Sequence, residues 1–447
     1  CATVALRRIN AARVAEPASA AYAFAQSDQR LGDISVQSRR ELLFSAAAAA
    51  AVAAAISPKD AFAAIAPGSD PAEVAKATAL YDAIVARQLR RSPEAATSLG
   101  IDSGDMAWTK SQLSDFSFAA IKENGEYGAQ ALKTLKTIDR SKLAGMDAAS
   151  YDTVEFVLTN GERYNASFEY NGAYGGAPYV LSQLTGSYQQ VSDFLDSQHV
   201  IETKADADAY LSRVEDFGRL LDQEVEVARR DASLGVIPAD FTIDKALIQF
   251  KAMLGVAPDA SPLVTSVARR AKEKGIAGDY AGVAEKLYAE KIRPALARQA
   301  ALLESWRPKA SHDAGVWRLP KGEEYYLTSL ENYTTSQITP DEVHQTGLDM
   351  VASLGAQCDK LMRKAGYTNG TVGERFRQMY ADPKQHYPNT DEGKVQLIAD
   401  LNKKVEAIMP KLPKYFGQLP KAPLEIRRVP KAIEAGAPGG YYNSPTL

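Results

Sequence analysis

The sequence predicts a mainly α-helical protein with a little β structure after residue 306. Three observations carry that expectation. Apolar residues recur at three- and four-residue steps through most of the chain. Several of these runs open on a Thr or Asp followed by proline or a carboxylate, the signature of a capped helix start. No repeat with a period of about 20–50 residues is evident, which sets solenoids aside.

Residues 1–63 are expected to stand apart from the fold. Ser38-Arg39-Arg40-Glu41 precedes an apolar, alanine-rich run from Leu42 to Ile56, followed by Ala61-Phe62-Ala63. A charged start, a short apolar stretch and an A-x-A site describe a signal peptide. The run of 15 residues is shorter than the roughly 20 that span a bilayer. The paired arginines resemble the twin-arginine export motif, which implies the twin-arginine machinery as a partner and a periplasmic destination. Cleavage after Ala63 would leave a chain with 52 − 7 = 45 basic and 55 − 5 = 50 acidic residues. No later segment is apolar enough to suggest stable membrane insertion. Cys1 could mark a processed lipoprotein, but the export signal downstream of it argues against that. Because residue 1 is not Met and nothing closes the chain after Leu447, the sequence is expected to be a fragment.

The helices follow in order. Asp70-Pro71-Ala72-Glu73 caps a run through Ala75, Ala79, Leu80, Ile84 and Leu89. Ser92-Pro93-Glu94 ends it and can start another. Residues 114–165 read as helical, with a break near 139–146. Asn171–Pro178 is a glycine-rich connection that lacks the Gly-Lys-Ser/Thr ending of a phosphate cradle. From Thr203, residues Tyr210, Leu211, Val214, Phe217, Leu220, Leu221 and Val225 define a strongly amphipathic helix ending near Gly235. Helices are expected at about 243–254, 262–274 and 279–306. Arg307–Lys321 reads as a loop or short strand pair and as an internal boundary, dividing a helical region 64–306 from a region 307–447. Thr339-Pro340-Asp341-Glu342 is a full capping box. Its helix is expected to bury Val343, Leu348, Val351, Leu354, Cys358 and Leu361. Shorter helices follow at about 372–380 and 391–409. The last stretch, Lys411–Leu447, is proline-rich and reads as extended chain.

Composition excludes some functions. The net charge of −3 and a pI near 6.0 lack the basic excess of a dedicated nucleic-acid binder. Two cysteines, Cys1 and Cys358, cannot build a disulfide framework. There is no G-x-S-x-G, no C-x-x-C and no H-E-x-x-H. The four histidines, His199, His312, His344 and His386, have no ligand partners at zinc spacing. Catalytic and metal-ligating residues in this chain are therefore expected to be none. Tyrosine is abundant, at 21 residues, with pairs at Tyr325-Tyr326 and Tyr441-Tyr442. Such side chains suit both substrate clefts and interfacial packing.

Several segments in order resemble one family, the bacterial domain of unknown function 885. They are Ser182–Gly186 with Phe194-Leu195, Tyr210–Val214, Gly235–Pro238, Tyr326–Leu330, Tyr333–Thr335, Thr339–Leu348, Phe416–Pro420 and Ala437-Pro438 through Tyr441-Tyr442. The resemblance covers residues 70 to 447 approximately. It implies a large helical, zincin-like peptidase architecture similar to the carboxypeptidase Taq and angiotensin-converting enzyme group. In such enzymes zinc activates a water and a motif glutamate takes its proton. The family's H-E-x-x-H helix follows the Ala-Pro…Tyr-Tyr segment, and this chain stops before it. Zinc is thus expected in a full-length protein and not in this fragment, which is expected to be inactive. The resemblance further implies a strand beside the metal that pairs with a peptide substrate. Gly439, Gly440, Tyr441, Tyr442 and Asn443 are the residues here that could supply it. The rival expectation is a non-enzymatic periplasmic helical binding or scaffold protein. A chain without its catalytic part is also expected to expose apolar surface where that part docks.

Overall fold

The computed structural model describes residues 65–170, 178–417, 419–420, 423–428, 440 and 442. The export signal and all of the glycine-rich connection except Pro178 lie outside the described residues. Two compact units are present, one running to Gln337 and the other covering Ile338–Pro445. Arg307–Lys321 lies inside the first unit.

The first unit is built around one helix. The sequence stripe from Tyr210 to Val225 becomes α6, and the elements before it are α1 (Pro71–Arg91), α2 (Pro93–Ser98), α3 (Phe118–Leu135), α4 (Gly145–Ser167) and α5 (Ser187–Ser197). Helix α6 (Lys204–Ser233) is 30 residues long and opens on a capping box between Thr203 and Asp206. α7 (Asp240–Gly255), α8 (Pro262–Glu273), α9 (Tyr280–Leu287) and α10 (Arg293–Trp306) follow it. Its buried face (Tyr210, Val214, Phe217, Leu221, Val225) packs with Val191, Phe250, Val267, Tyr288 and Leu296 from these neighbours into one apolar core. A separate core joins α1, α3 and α4 through Leu80, Leu135 and Tyr151.

Helices α9 and α10 form one rod interrupted by a π turn, Tyr288–Ile292. The rod approaches α6 closely at this point. A Cβ on Gly218 would sit 3.2 Å from the Lys291 Cβ and 3.3 Å from its carbonyl oxygen. Glycine at 218 is thus what lets the two backbones meet.

The expected β structure after residue 306 is not found: among the described residues there is no strand. Arg307–Lys309 and Val316–Arg318 are single 3₁₀ turns, closed by Ala310 N–H to Arg307 O and Leu319 N–H to Val316 O. Pro308 and Pro320 lack the N–H a ladder needs. The stretch after it, containing Tyr325 and Leu330, is helix α11 (Gly322–Thr334).

The second unit contains α12 (Pro340–Lys364), α13 (Val372–Ala381) and α14 (Asp391–Ile408). The Thr339/Glu342 capping box forms as the sequence predicts, and a second one forms at Thr371/Glu374. Asp359 on α12 pairs with Arg363 at 2.8 Å and with Arg375 on α13. The proline-rich stretch is not free of α14. Asn402 donates its amide to Ile426 O and accepts from Ile426 N–H, both at 3.0 Å.

The burial expected for α12 is overturned. Leu348, Val351, Leu354 and Leu361 are 40%, 61%, 51% and 66% exposed, and Val343 and Cys358 are half-buried. Met362 is the side chain that α12 buries. The periodicity is that of a core helix, but the described residues of the second unit supply no surface to complete it.

Candidate functional site

The residues proposed from sequence for a substrate strand are divided by the structure. Gly439, Tyr441 and Asn443 lie outside the described residues. Gly440 and Tyr442 lie in irregular chain and are exposed, Tyr442 by 66%.

The histidines do not assemble a metal centre. His199 is fully buried, with Nε2 2.9 Å from Asp206 O and Nδ1 2.9 Å from Arg213 Nη1. A carbonyl can only accept and a guanidinium can only donate. His199 is therefore the neutral Nε2–H tautomer with both ring nitrogens engaged. His312 reaches Asp240 at 2.9 Å, His344 is exposed on α12, and His386 contacts the Tyr380 carbonyl. Among the described residues no group of three or more His, Cys, Asp or Glu could hold a metal ion. Zinc does not fit the donor set of the described residues.

The densest polar chemistry is buried around α6. Arg213 is 0% exposed. Its Nε donates to Gln112 O at 2.9 Å, and Nη2 donates to Pro93 O, Thr97 Oγ1 and Thr109 O at 3.2, 2.7 and 2.9 Å. The Thr97 hydroxyl in turn donates to the Asp102 carboxylate at 2.8 Å. The guanidinium also lies 4.9 Å from the centre of the Phe194 ring. Burial lowers the Arg213 pKa to about 10, opposed by the charges of Glu94 and Asp102. One side chain thus ties α2, the 3₁₀ segment Gly104–Ser111 and His199, two residues beyond α5, to α6. Arg270 of α8 supports the same turn, donating to His199 O and Leu195 O at 2.6 and 2.7 Å.

Burial pushes the His199 pKa down to about 3, helped by the positive charges of Arg213, Arg270 and Lys110. The sign follows directly. A histidine that resists protonation in the fold binds more protons unfolded, so stability is complete above about pH 6.5 and falls as pH drops toward 3. The expected slope from this residue approaches 1.4 kcal/mol per pH unit in that window. Urea unfolding of the wild type and His199→Gln at pH 7.5, 6.0 and 4.5 checks it. The variant should lose about one proton's worth of pH dependence, and an unchanged slope refutes the assignment.

About three turns beyond Arg213 along α6, Glu224 is also 0% exposed. It accepts from Ser187 N–H at 2.7 Å, Ser187 Oγ at 2.8 Å and Gln299 Nε2 at 2.9 Å. A carboxylate at the first residue of α5 satisfies donors the helix leaves open and complements its dipole. Gly186 precedes α5 at φ 112°, a conformation that favours glycine, with Tyr188 packed against it.

An aromatic group sits at the join of α4 and α11. Tyr325 is buried, with Phe168 at 5.1 Å, Tyr170 at 5.6 Å and Tyr164 at 5.9 Å between ring centres. Tyr170 donates to Pro320 O and Tyr164 pairs with Ser329, both at 2.6 Å. This is aromatic packing in which the tips of Tyr164 and Tyr170 are satisfied, while the buried Tyr325 hydroxyl has no hydrogen-bond partner among the described residues. Of the first tyrosine pair, Tyr326 alone is exposed. A surface groove of about 580 Å³ runs between the 3₁₀ segment and α6, lined by Asp115, Glu215, Asp216, Arg219 and Lys291 among others. Its charges answer one another: Arg219 with Asp216 at 2.6 Å and with Asp115 at 3.8 Å, and Lys291 with Glu215.

Arg213 and Glu224 were not singled out from the sequence, although the signal was there. Both fall on the apolar stripe of α6, Arg213 three residues after Tyr210 and Glu224 three after Leu221. A charge on the buried face needs a partner. What the arrangement does is hold helices in place; no nucleophile–base pair is formed by these groups.

No curated protein matches the sequence. Among solved structures, the fold is similar to the crystal structure of the "putative lipoprotein from Colwellia psychrerythraea", with a TM-score of 0.75 and 21% identity. The similarity takes in 83% of this chain and 65% of that one, so the chain spans about two thirds of that protein's length. At this identity the likeness concerns the fold alone. No helix among the described residues is long and apolar enough to cross a membrane. Residues 93–447 match the family described as "Bacterial protein of unknown function (DUF885)", and with most of its length inside that match the chain belongs to this family.

Proposed function

We propose that this chain is the helical, substrate-covering part of an exported zinc-dependent peptidase, with the zinc ligands and general base outside the residues described here. One observation carries the reading. Arg213, His199 and Glu224, the buried polar groups around α6 of the first unit, are engaged in fixing helices, while the best-formed apolar stripe of the second unit is left open. That is the construction of a part that supports a site rather than one that contains it. The zinc-peptidase chemistry itself rests on the sequence resemblance, and export rests on the Arg39-Arg40 signal. On this reading Gly439–Asn443 pairs with the backbone of a peptide substrate, and the exposure of Gly440 and Tyr442 is consistent with that.

The expected outcome is that the chain ending at Leu447 carries no stoichiometric zinc by elemental analysis and cleaves no peptide library. The product of the same gene read through any downstream coding sequence should carry about one zinc and lose cleavage on chelation. Zinc and peptidase activity in the shorter chain would overturn the division of labour. A second reading, a periplasmic helical scaffold, is favoured by the self-paired charges of the α6 groove. A longer product without zinc or cleavage would establish that reading instead.

A further inference from the structure

The exposed stripe of α12 has a regular geometry. Gly347, Val351, Leu354, Cys358 and Leu361 are spaced 4-3-4-3, the repeat that keeps one seam facing a partner helix. The helix is 25 residues long, or about 37 Å at 1.5 Å per residue. Helices in water draw most of their stability from packing such a face, yet Val351, Leu354 and Leu361 are all more than half exposed. Nothing lies within 4 Å of where a Cβ on Gly347 or Gly355 would point, so a second backbone can come close there.

We propose that this seam seats a further amphipathic helix of the longer family chain, a counterpart of polypeptide that the Colwellia structure has and this one does not match. The length is sufficient: about a third of that chain lies outside the similarity. The 4-3 spacing calls for aliphatic residues at the same repeat on the incoming helix, crossing at about 20°. A helix in the same chain reaches the seam without the concentration dependence of a second copy. The inference rests on the proposed function only in taking the chain as part of a larger protein.

Amide hydrogen exchange over residues 343–362 tests it, comparing the chain ending at Leu447 with the product of the gene read through its downstream coding sequence. The expected result is exchange at least about 10-fold slower in the longer product. Val351→Asp with Leu354→Asp should abolish that protection, and Ala356→Asp, on the opposite face, should leave it. Equal exchange in the two proteins overturns the proposal. So does a reading frame that stops at Leu447. Protection of the shorter chain that disappears on dilution would assign the seam to a second copy and also overturns it. Protection without zinc or cleavage keeps the seam and removes the peptidase reading; zinc and cleavage without protection do the reverse.

Discussion

Replacing Arg213 with methionine is expected to destabilise the first unit by about 3–5 kcal/mol, the largest single-residue effect among the described residues. Methionine fills much of the volume but donates nothing. The carbonyls of Pro93, Thr109 and Gln112, the Thr97 hydroxyl and His199 Nδ1 would each lose a donor in a site closed to water. Leaving several buried acceptors bare outweighs the gain from no longer burying a charge. Arg213→Lys should recover less than half, because one ammonium cannot reproduce the planar fork that faces three segments at once. Arg219→Met on the same helix is the control. Its guanidinium is more than a third exposed and pairs with Asp216, and such a pair is worth at most about 1 kcal/mol. Equilibrium urea unfolding separates the cases, and a loss below about 1 kcal/mol for Arg213→Met would mean that water replaces the fork.

Glu224→Leu is the second expected large loss, about 3 kcal/mol. The backbone N–H of Ser187 and its hydroxyl would be stranded at the start of α5, and Gln299 would keep only its bond to Leu221 O at 2.9 Å. Ser187→Ala alone should cost nearer 1 kcal/mol, because it removes one partner and leaves the backbone bond in place. The double variant should lose less than the sum, with a coupling of about 1–2 kcal/mol. Additive losses would show that Glu224 acts through its remaining contacts and not through Ser187.

Much of this architecture was readable from local pattern. The α6 stripe, the capping boxes at Thr203 and Thr339, and the break before Gly145 are written within a few residues of where they act. The Arg213 and Glu224 partners are not. They lie up to 120 and 75 residues away in sequence, and no periodicity links them. Arg307–Lys321 reads from sequence as a loop or a short strand pair, and the strand pair failed for a different reason. Short apolar pairs between prolines are compatible with extended chain, but a strand needs a neighbour, and 3₁₀ turns satisfy the same groups locally. For α12 the pattern was read correctly and the burial was not, because amphipathicity states that a face needs covering without saying by what. The same limit applies to the candidate site: the tyrosine pair at 441–442 was legible as composition, and its geometry was not.

The π turn at Tyr288–Ile292 carries a consequence for how the chain tolerates changes in length. A π turn holds one residue more than an α turn in the same helical rod. Deleting a single residue between 288 and 292 would let the rod close as continuous α-helix, because the widened turn already takes up the extra residue. Leu296, Gln299, Ala300 and Leu303 would go on facing the core, and Gln299 would keep its contact to Glu224. The same deletion in a regular α turn beyond Ile292 has no extra residue to remove; it would rotate everything after it by about 100° and swing those side chains off α6.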